Sequence, residues 1–328
     1  MGKDSKVPEE VGAGETDVNL KIHKNRGLFF KTVLFLTVSL TILAFACTAF
    51  ASRPENTGKH CLWSIETSNN TIFLLGSLHI SPADIYPLPE VIERAYDKCS
   101  KIIFEADIEA VNDPSFQTKI MTLGVYPQGD NLEDNVSAQT FDLLKKRADA
   151  AGIPIQQLIR LKPWLCALSL SSIEFVKLGF NPAYGIDMYF FNKAKMDGKE
   201  MLRFETVEFQ LSLMTQMTRK QEEMMLRQTL KDLEVIEKDA ANLVKYWKNG
   251  DVKKLDSLIT ASLKDFPELY DRWFTSRNKR WLAEIKKLIG KNENVFIVVG
   301  AGHLVGRGGL VELLRKQNYK IHQKQKGE

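Results

Sequence analysis

The residues best suited to catalysis or metal binding are two histidines that follow the same short pattern. His79 ends the sequence Gly-Ser-Leu-His after an apolar run at 71–75, and His303 ends Gly-Ala-Gly-His after an apolar run at 295–299. A continuous apolar run of this length predicts a strand that is buried on both faces, as in a parallel sheet. Open α/β sheets bind their ligands beyond the carboxyl ends of such strands, so both histidines are candidates for a site there.

Two glutamates follow further short apolar runs. Glu105 comes directly after 101–104, and Glu205 comes after 201–204. Two imidazoles with one or two carboxylates are a sufficient ligand set for a hydrolytic divalent metal that keeps one position open for water. A carboxylate can also act as the general base on that water. We therefore predict His79, Glu105 and His303 as metal ligands or general-base groups, with Glu205 in support.

Three further polar residues are candidates for roles around such a site. Arg277 and Asn278 lie in a predicted late helix, where the guanidinium and the amide could stabilise an oxyanion in the transition state. Periodicity alone instead favours Arg277 as a surface or ion-pairing residue. Asp187 follows Gly185 and Ile186 at a predicted helix start, where an N-cap is the commoner role for aspartate and a place at the site is the alternative.

The elements that must position these residues repeat around each histidine. After His79 the pattern predicts a helix at 90–98 and a strand at 101–104; after His303 it predicts a helix at 310–316 and a strand at 319–322. We predict a pseudo-symmetric α/β fold, in which a central sheet carries two β-(GxxH)-α-β units and a large helical insertion separates them. If the two apolar strands are parallel neighbours in one sheet, the histidines meet at one edge.

Composition restricts the partners of the protein. The 328 residues include 45 basic and 41 acidic residues, for a net charge of +4, and no basic stripe is interleaved with aromatic residues, which argues against a nucleic-acid partner. The absence of a C-x-x-C motif argues against a structural zinc site. Cys61 and Cys99 flank the first unit and are either a disulfide in an oxidising compartment or two buried free thiols.

The N-terminal region has the pattern of a targeting segment. Residues 1–31 are predicted to be a disordered tail on the cytoplasmic side, with basic residues before the apolar segment 32–51. That segment is either a signal peptide, cleaved after the Ala-Phe-Ala at 49–51, or a retained membrane anchor. Both interpretations predict that the rest of the chain is exported, with a linker at 52–62 and the α/β domain at 63–323.

Taken together, the motifs resemble those of the TraB/GumN family, which includes the TIKI metalloproteases and the pheromone-shutdown proteins. The resemblance spans about 63–323, and its motifs stand in family order: Gly76-Ser77-Leu78-His79, with Ser where the family has Thr, Phe104-Glu105, Pro163-Trp164, Gly185-Ile186-Asp187, Phe204-Glu205-Thr206 with Gln210, Arg277-Asn278 and Val299-Gly300-Ala301-Gly302-His303-Leu304.

The resemblance implies a fold and an activity. TIKI-like members are implied to be Mn- or Co-dependent peptidases that use the two histidines and the glutamate. The leading interpretation is therefore an exported, metal-dependent hydrolase of peptide or small-molecule substrates, with a peptidase foremost. Because the wider superfamily also holds haem-binding and esterase-like proteins, two alternatives stand beside it: a non-catalytic protein that sequesters a peptide or haem, and a metal-free hydrolase with histidine as the base.

Overall fold

The computed structural model of the protein describes residues 58–111, 113–261 and 263–328. The predicted tail at 1–31 and the predicted signal peptide or anchor at 32–51 lie outside the described residues. Among the helices that are described, none has the length and apolar character needed to cross a bilayer.

The described residues form eight strands, six of them in one sheet. In chain order the strands are β1 (Lys59–Glu66), β2 (Thr71–Ser77), β3 (Ser81–Pro82), β4 (Lys101–Phe104), β5 (Phe180–Asn181), β6 (Glu200–Arg203), β7 (Val295–Gly300) and β8 (Ile321–Gln325). The sheet has the order β6-β4-β7-β2-β1-β8, and β3 pairs with β5 separately.

Most of the helices lie in the long interval of sequence between β4 and β7, which also contains β5 and β6. Their bounds are α1 (Glu90–Asp97), α2 (Ile108–Val111), α3 (Pro114–Gly124), α4 (Ala138–Ala151), α5 (Pro163–Lys177), α6 (Ile186–Asp197), α7 (Val207–Thr215), α8 (Arg219–Asp232), α9 (Ile236–Lys248), α10 (Val252–Ala261), α11 (Pro267–Tyr270), α12 (Ser276–Leu288), α13 (Ala301–Leu304) and α14 (Leu310–Lys316).

Four neighbouring strands of the sheet are parallel. β6 pairs with β4, β4 with β7, and β7 with β2, so the two strands that precede the histidines lie side by side with Ser77 opposite Gly300. Every residue of β7 is buried, as its apolar sequence predicts. The predicted α/β fold and the predicted meeting of the two histidine strands are therefore confirmed.

The two units differ in how they close. In the first unit β4 returns parallel to β2, with β7 inserted between them. In the second unit the last strand, β8, crosses to the far edge and pairs antiparallel with β1. The expected pseudo-symmetry therefore holds only for the strand and the Gly-x-x-His turn, because β1 offers β8 an antiparallel edge on the opposite side of β2.

Local signals place several helices as predicted. The Ser137 hydroxyl accepts a hydrogen bond from the Thr140 amide at the start of α4, and Gly152 ends that helix with φ of 70°. Gly198 ends α6 in the same left-handed conformation. Both glycines are needed because this conformation is unfavourable for residues with a Cβ.

The structure bears on two sequence predictions about the first strand region. β1 begins at Lys59, within the predicted linker at 52–62. Cys61 and Cys99 are free and buried, which is the second of the two predicted alternatives. The Cys61 thiol donates to the Trp247 carbonyl in α9, whereas the Cys99 thiol donates to the Ala95 carbonyl in α1, so the two thiols point at different helices.

Candidate functional site at the carboxyl edge of the sheet

The sheet brings the four predicted strand-end residues to one edge. Glu205 follows β6, Glu105 follows β4, His303 follows β7 and His79 follows β2. Glu105, Glu205 and His303 are buried, and the His79 side chain is 13% exposed. The parallel order of the strands is the reason that residues so distant in sequence meet here.

Glu105 is the centre of this cluster. Its Oε1 atom accepts a hydrogen bond from the Gly300 amide at 2.6 Å, and its Oε2 atom accepts from Arg277 at 2.8 Å. Burial alone would raise the pKa of Glu105, but the neighbouring His303, Arg277 and His79 lower it well below its ordinary value. The carboxylate is therefore ionised at neutral pH.

His79 faces Glu105 with one nitrogen and Asp187 with the other. Its Nδ1 atom lies 2.9 Å from Asp187 Oδ2, and its Nε2 atom lies 3.7 Å from Glu105 Oε1. Burial would lower the pKa of His79, but the Asp187 and Glu105 carboxylates outweigh it and raise this pKa to about 10. The Nε2 atom is buried and has no hydrogen-bond partner among the described residues.

His303 faces the same oxygen from the other side. Its Nε2 atom lies 3.8 Å from Glu105 Oε1 and 3.0 Å from Arg277 Nη1. A guanidinium can only donate, so Nε2 is the acceptor and Nδ1 carries the proton, which it donates to Asn278 Oδ1 at 2.6 Å. Burial lowers the pKa of His303 well below its ordinary value, against the opposing effect of Glu105, so this ring is neutral.

The Arg277 side chain neutralises both glutamates. It is 1% exposed, and it binds Glu205 at 2.9 Å as well as Glu105 at 2.8 Å. Its guanidinium also lies over the ring of Trp281, at 4.8 Å from the centroid. Periodicity favoured a surface or ion-pairing position for Arg277; the surface position is wrong and the ion pair is present. Arg280, which is half exposed, contacts Glu205 from outside at 3.1 Å.

The backbone just before Arg277 is irregular. Residues Asp271–Thr275 form a π-helical turn that leads directly into α12. Such turns are frequent at functional sites because the extra residue re-aims the side chains that follow. From this turn Phe274 packs against the His303 ring, whose other neighbour is Trp281, with ring centroids 5.0 and 4.4 Å away.

Asn278 and Asp187 each contact one histidine of the cluster. The Asn278 amide, predicted to stabilise an oxyanion, donates to the Gly308 carbonyl at 2.8 Å while its oxygen accepts from His303. Of the two alternatives for Asp187, the structure shows the place at the site: its side chain makes no cap bond, the N-cap position belongs to Gly185, and the carboxylate binds His79. Each side chain holds an imidazole because it lies on a helix beside that histidine.

Sequence reasoning did not identify two further groups that contact the cluster. The Gly300 amide binds Glu105, and Gln210 lies 3.4 Å from Glu105 Oε2. A backbone donor leaves no trace in side-chain types. The Gln210 position carries only the signal of its spacing after Glu205 in the motif shared with the family.

The nitrogen and oxygen atoms of the cluster fit a divalent metal only in part. Within 58–111, 113–261 and 263–328, no group of three or more His, Cys, Asp or Glu side chains is arranged so that it could hold a metal ion. The buried and unpartnered His79 Nε2, 3.7 Å from Glu105 Oε1, fits a cation bound between them. His303 fits as a third ligand only if Arg277 gives up its hydrogen bond to Nε2.

Comparisons with known proteins extend over nearly all of the described residues. The sequence profile of the TraB/PrgY/gumN family matches residues 61–323. The chain is 25% identical to the uncharacterized protein YbaP of Escherichia coli (strain K12) over 262 residues, which is 79% of this chain and 94% of YbaP. No solved structure matches the chain.

Other similar proteins are named as metalloproteases. The chain is 22% identical to metalloprotease TIKI2 of Danio rerio over 300 residues, which is 76% of this chain and 57% of TIKI2. It is 21% identical to metalloprotease TIKI1 of Homo sapiens over 79% of this chain and 61% of TIKI1. The chain therefore corresponds to about three fifths of the length of these relatives, and the link to peptidases is one of family.

Proposed function

Since the chain belongs to the TraB/PrgY/gumN family, we propose that it is a metal-dependent hydrolase, foremost a peptidase, that acts at the carboxyl edge of its sheet. One observation carries the proposal. The Nε2 atoms of His79 and His303 approach the same oxygen, Glu105 Oε1, at 3.7 and 3.8 Å. Each Nδ1 atom is meanwhile tied to an oxygen of another helix, as is usual for histidines that bind metals.

In this proposal His79 and Glu105 hold a divalent cation such as Mn or Co, with His303 as a third ligand. The cation would supply a Lewis acid for the scissile carbonyl and lower the pKa of a bound water. The chain prepares the site for it. The Gly300 amide fixes Glu105 Oε1 in place, while Arg277 keeps the carboxylate ionised through Oε2. Glu205 anchors the other side of the Arg277 guanidinium.

The roles of Arg277 and Asn278 follow from their contacts. Arg277 binds two carboxylates and the His303 ring, so in the proposed reaction it orients these groups from behind. Asn278 is a positioning residue for His303 in the same way. The partly exposed members of the cluster are His79 and Asp187, at 13% and 16%, so substrate approaches from their side.

A metal-free hydrolase is the second candidate, and one observation favours it. Arg277 already supplies a positive charge to both glutamates, as a metal would. It also occupies His303 Nε2, which the metal would need as its third ligand. In that case His79, with Asp187 behind it, is the group that exchanges a proton with the substrate; its raised pKa makes it an acid at neutral pH and a base only near or above pH 10. The two candidates differ in whether a chelator removes activity.

The proposal also includes export. The apolar segment at 32–51, which ends in Ala-Phe-Ala, supports cleavage before Ser52. Sequencing of the mature N-terminus checks this: a start at Ser52 supports a signal peptide, and an intact N-terminus in the membrane fraction supports a retained anchor.

The function is tested by metal content and turnover together. The full chain, loaded with Mn²⁺ or Co²⁺, should retain about one ion after gel filtration and cleave members of a peptide library, and EDTA should abolish the cleavage. Glu105→Gln should lose both the ion and the activity. Glu66→Gln is the matched control, because Glu66 pairs with Lys324 at the surface far from this edge.

The outcomes separate the candidates. Turnover that survives EDTA would overturn the metal-dependent proposal in favour of the metal-free one. Metal binding without turnover of any peptide or ester would favour a sequestering protein. A Glu105→Gln variant that stays folded with its full metal content would overturn the ligand assignment.

A further inference from the structure

The segment Gly185–Asp187 is built against the backbone that carries His79. The Ile186 amide donates to the Leu78 carbonyl at 3.0 Å. A Cβ on Gly185 would lie 2.5 Å from the His79 carbonyl oxygen, which is closer than any side chain permits. Glycine is therefore required here for a close approach of two backbones rather than for a turn.

A second contact fixes this segment from the solvent side. The Tyr86 hydroxyl donates to the carbonyls of Tyr184 and Gly185, at 3.0 and 3.3 Å. The start of α6 is thus held on both sides before any side chain of the cluster is considered. A side chain in the first turn of α6 has a defined place relative to the His79 ring.

Asp187 stands in that first turn, 108 residues from His79 in sequence. Its Oδ2 atom lies 2.9 Å from His79 Nδ1. Its Oδ1 atom is buried and has no hydrogen-bond partner among the described residues. A carboxylate that is 16% exposed and pairs with a single imidazole is costly to keep unless the pairing is used.

We propose that Asp187 is the positioning residue of His79: by binding Nδ1 it holds the ring so that Nε2 is directed at Glu105 Oε1 and is the nitrogen that can receive a cation. In the metal-free chain the two carboxylates keep the ring protonated, so Nε2 gives up its proton when a cation binds while Asp187 retains the proton on Nδ1. Without Asp187, Nδ1 loses its acceptor, and the Glu105 carboxylate 3.7 Å from Nε2 favours a proton on that nitrogen instead. The inference rests on the proposed function only in that Nε2 is taken to be the atom of His79 that binds the cation.

The second histidine shows the same arrangement with different atoms. Asn278, in α12 just after the π-helical turn, accepts the Nδ1 proton of His303 at 2.6 Å. Each histidine of the cluster thus has a side-chain oxygen of a helix at Nδ1 and has Nε2 directed at Glu105 Oε1. A purely structural ion pair would not require this match at both rings.

The tautomer of His79 tests the proposal without any activity. In the metal-free full chain labelled with ¹⁵N-histidine, His79 signals are assigned by their absence in His79→Ala. Wild type should show a protonated Nδ1, and at neutral pH Nε2 also carries a proton, because the Asp187 and Glu105 carboxylates raise the pKa of the ring to about 10. In Asp187→Asn the amide can donate to Nδ1, and in Asp187→Ala nothing accepts from it, so both variants should show an unprotonated Nδ1 and a protonated Nε2.

Asp197→Asn is the matched control. Asp197 ends the same helix, and its carboxylate also accepts one side-chain hydrogen bond, from Tyr96 at 2.8 Å. This variant should keep the wild-type His79 signals. A protonated Nδ1 that persists in both Asp187→Asn and Asp187→Ala would overturn the proposal, whatever the metal content of the protein.

Mn²⁺ affinity, measured by isothermal titration, links the tautomer to the site. Replacing such an outer partner weakens metal binding about 10–100-fold, and Asp187→Asn should show a loss of this size while Asp197→Asn shows none. An unchanged affinity with a switched tautomer would overturn the positioning role. If wild type binds no Mn²⁺, the metal-dependent function fails, and the tautomer alone decides the role of Asp187.

Discussion

His79 and His303 follow the same four-residue pattern at the ends of neighbouring parallel strands, yet the chain surrounds them differently. His303 is fully buried between two aromatic rings, and both of its nitrogens are engaged. His79 is 13% exposed, and its Nε2 atom has no hydrogen-bond partner in the described part of the chain. The comparison shows that a shared motif fixes where a side chain stands, and that its helix neighbours decide what it is free to bind.

The largest expected effect on stability comes from Arg277, which binds His303 and so makes its surroundings differ from those of His79. Arg277→Met leaves Glu105 and Glu205 buried without their common cation, and it should lower the free energy of unfolding by about 3–5 kcal/mol. Arg280→Met removes a half-exposed partner of the same Glu205 and should cost at most about 1 kcal/mol. Urea denaturation of both variants measures these free energies of unfolding. Equal losses would contradict the role of Arg277 as the main counter-charge of Glu105 and Glu205.

The next effect contrasts the histidines directly. His303→Ala should lower the free energy of unfolding by about 2–4 kcal/mol, because it leaves a cavity beside Trp281 and an unpaired Asn278. His79→Ala should cost about 1–3 kcal/mol less, since that ring has one hydrogen bond and is partly exposed, yet it should remove most of the activity. Thermal and urea unfolding would contradict the contrast if His79→Ala were the less stable variant.

Gly185→Ala tests whether the site requires the close approach of the Gly185 backbone to the His79 backbone. The new Cβ would meet the His79 carbonyl, so we expect a loss of about 1–3 kcal/mol together with weaker Mn²⁺ binding. Gly198→Ala, in open space with φ of 64°, should cost about 1 kcal/mol and leave Mn²⁺ affinity unchanged. Similar Mn²⁺ affinities for the two variants would show that the approach of α6 to His79 does not matter to the site.

The smallest expected effect is the further loss of activity when a variant of one histidine also loses the other. His79→Ala and His303→Gln should each lower kcat/KM by about 10²–10⁴-fold, and the double variant should be little worse than the worse single one. Gln is chosen because its amide oxygen can still accept the Arg277 hydrogen bond. Independent losses that multiply would place the histidines in separate roles and break the comparison.

The sheet edge was predictable from sequence because it depends on local patterns. Apolar runs that end in Gly-x-x-His or in Glu place four side chains at strand ends, and parallel pairing then brings them together. The state of His303 was not predictable, because it depends on Arg277 and Asn278 of α12, which reach the ring only in the folded chain. The contact of Asp187 with His79 joins residues 108 apart, and a helix-start signal alone favours a cap there.

The central claim is that His79 and Glu105 hold one divalent cation, and anomalous X-ray diffraction at the Mn edge tests it most directly. Crystals of the full chain grown with Mn²⁺ should show one strong peak within bonding distance of His79 Nε2 and Glu105 Oε1, on the side away from Arg277. A third contact to His303 would show that Arg277 has released its Nε2 atom. A peak at any other place, or no peak at saturating Mn²⁺, would contradict the claim.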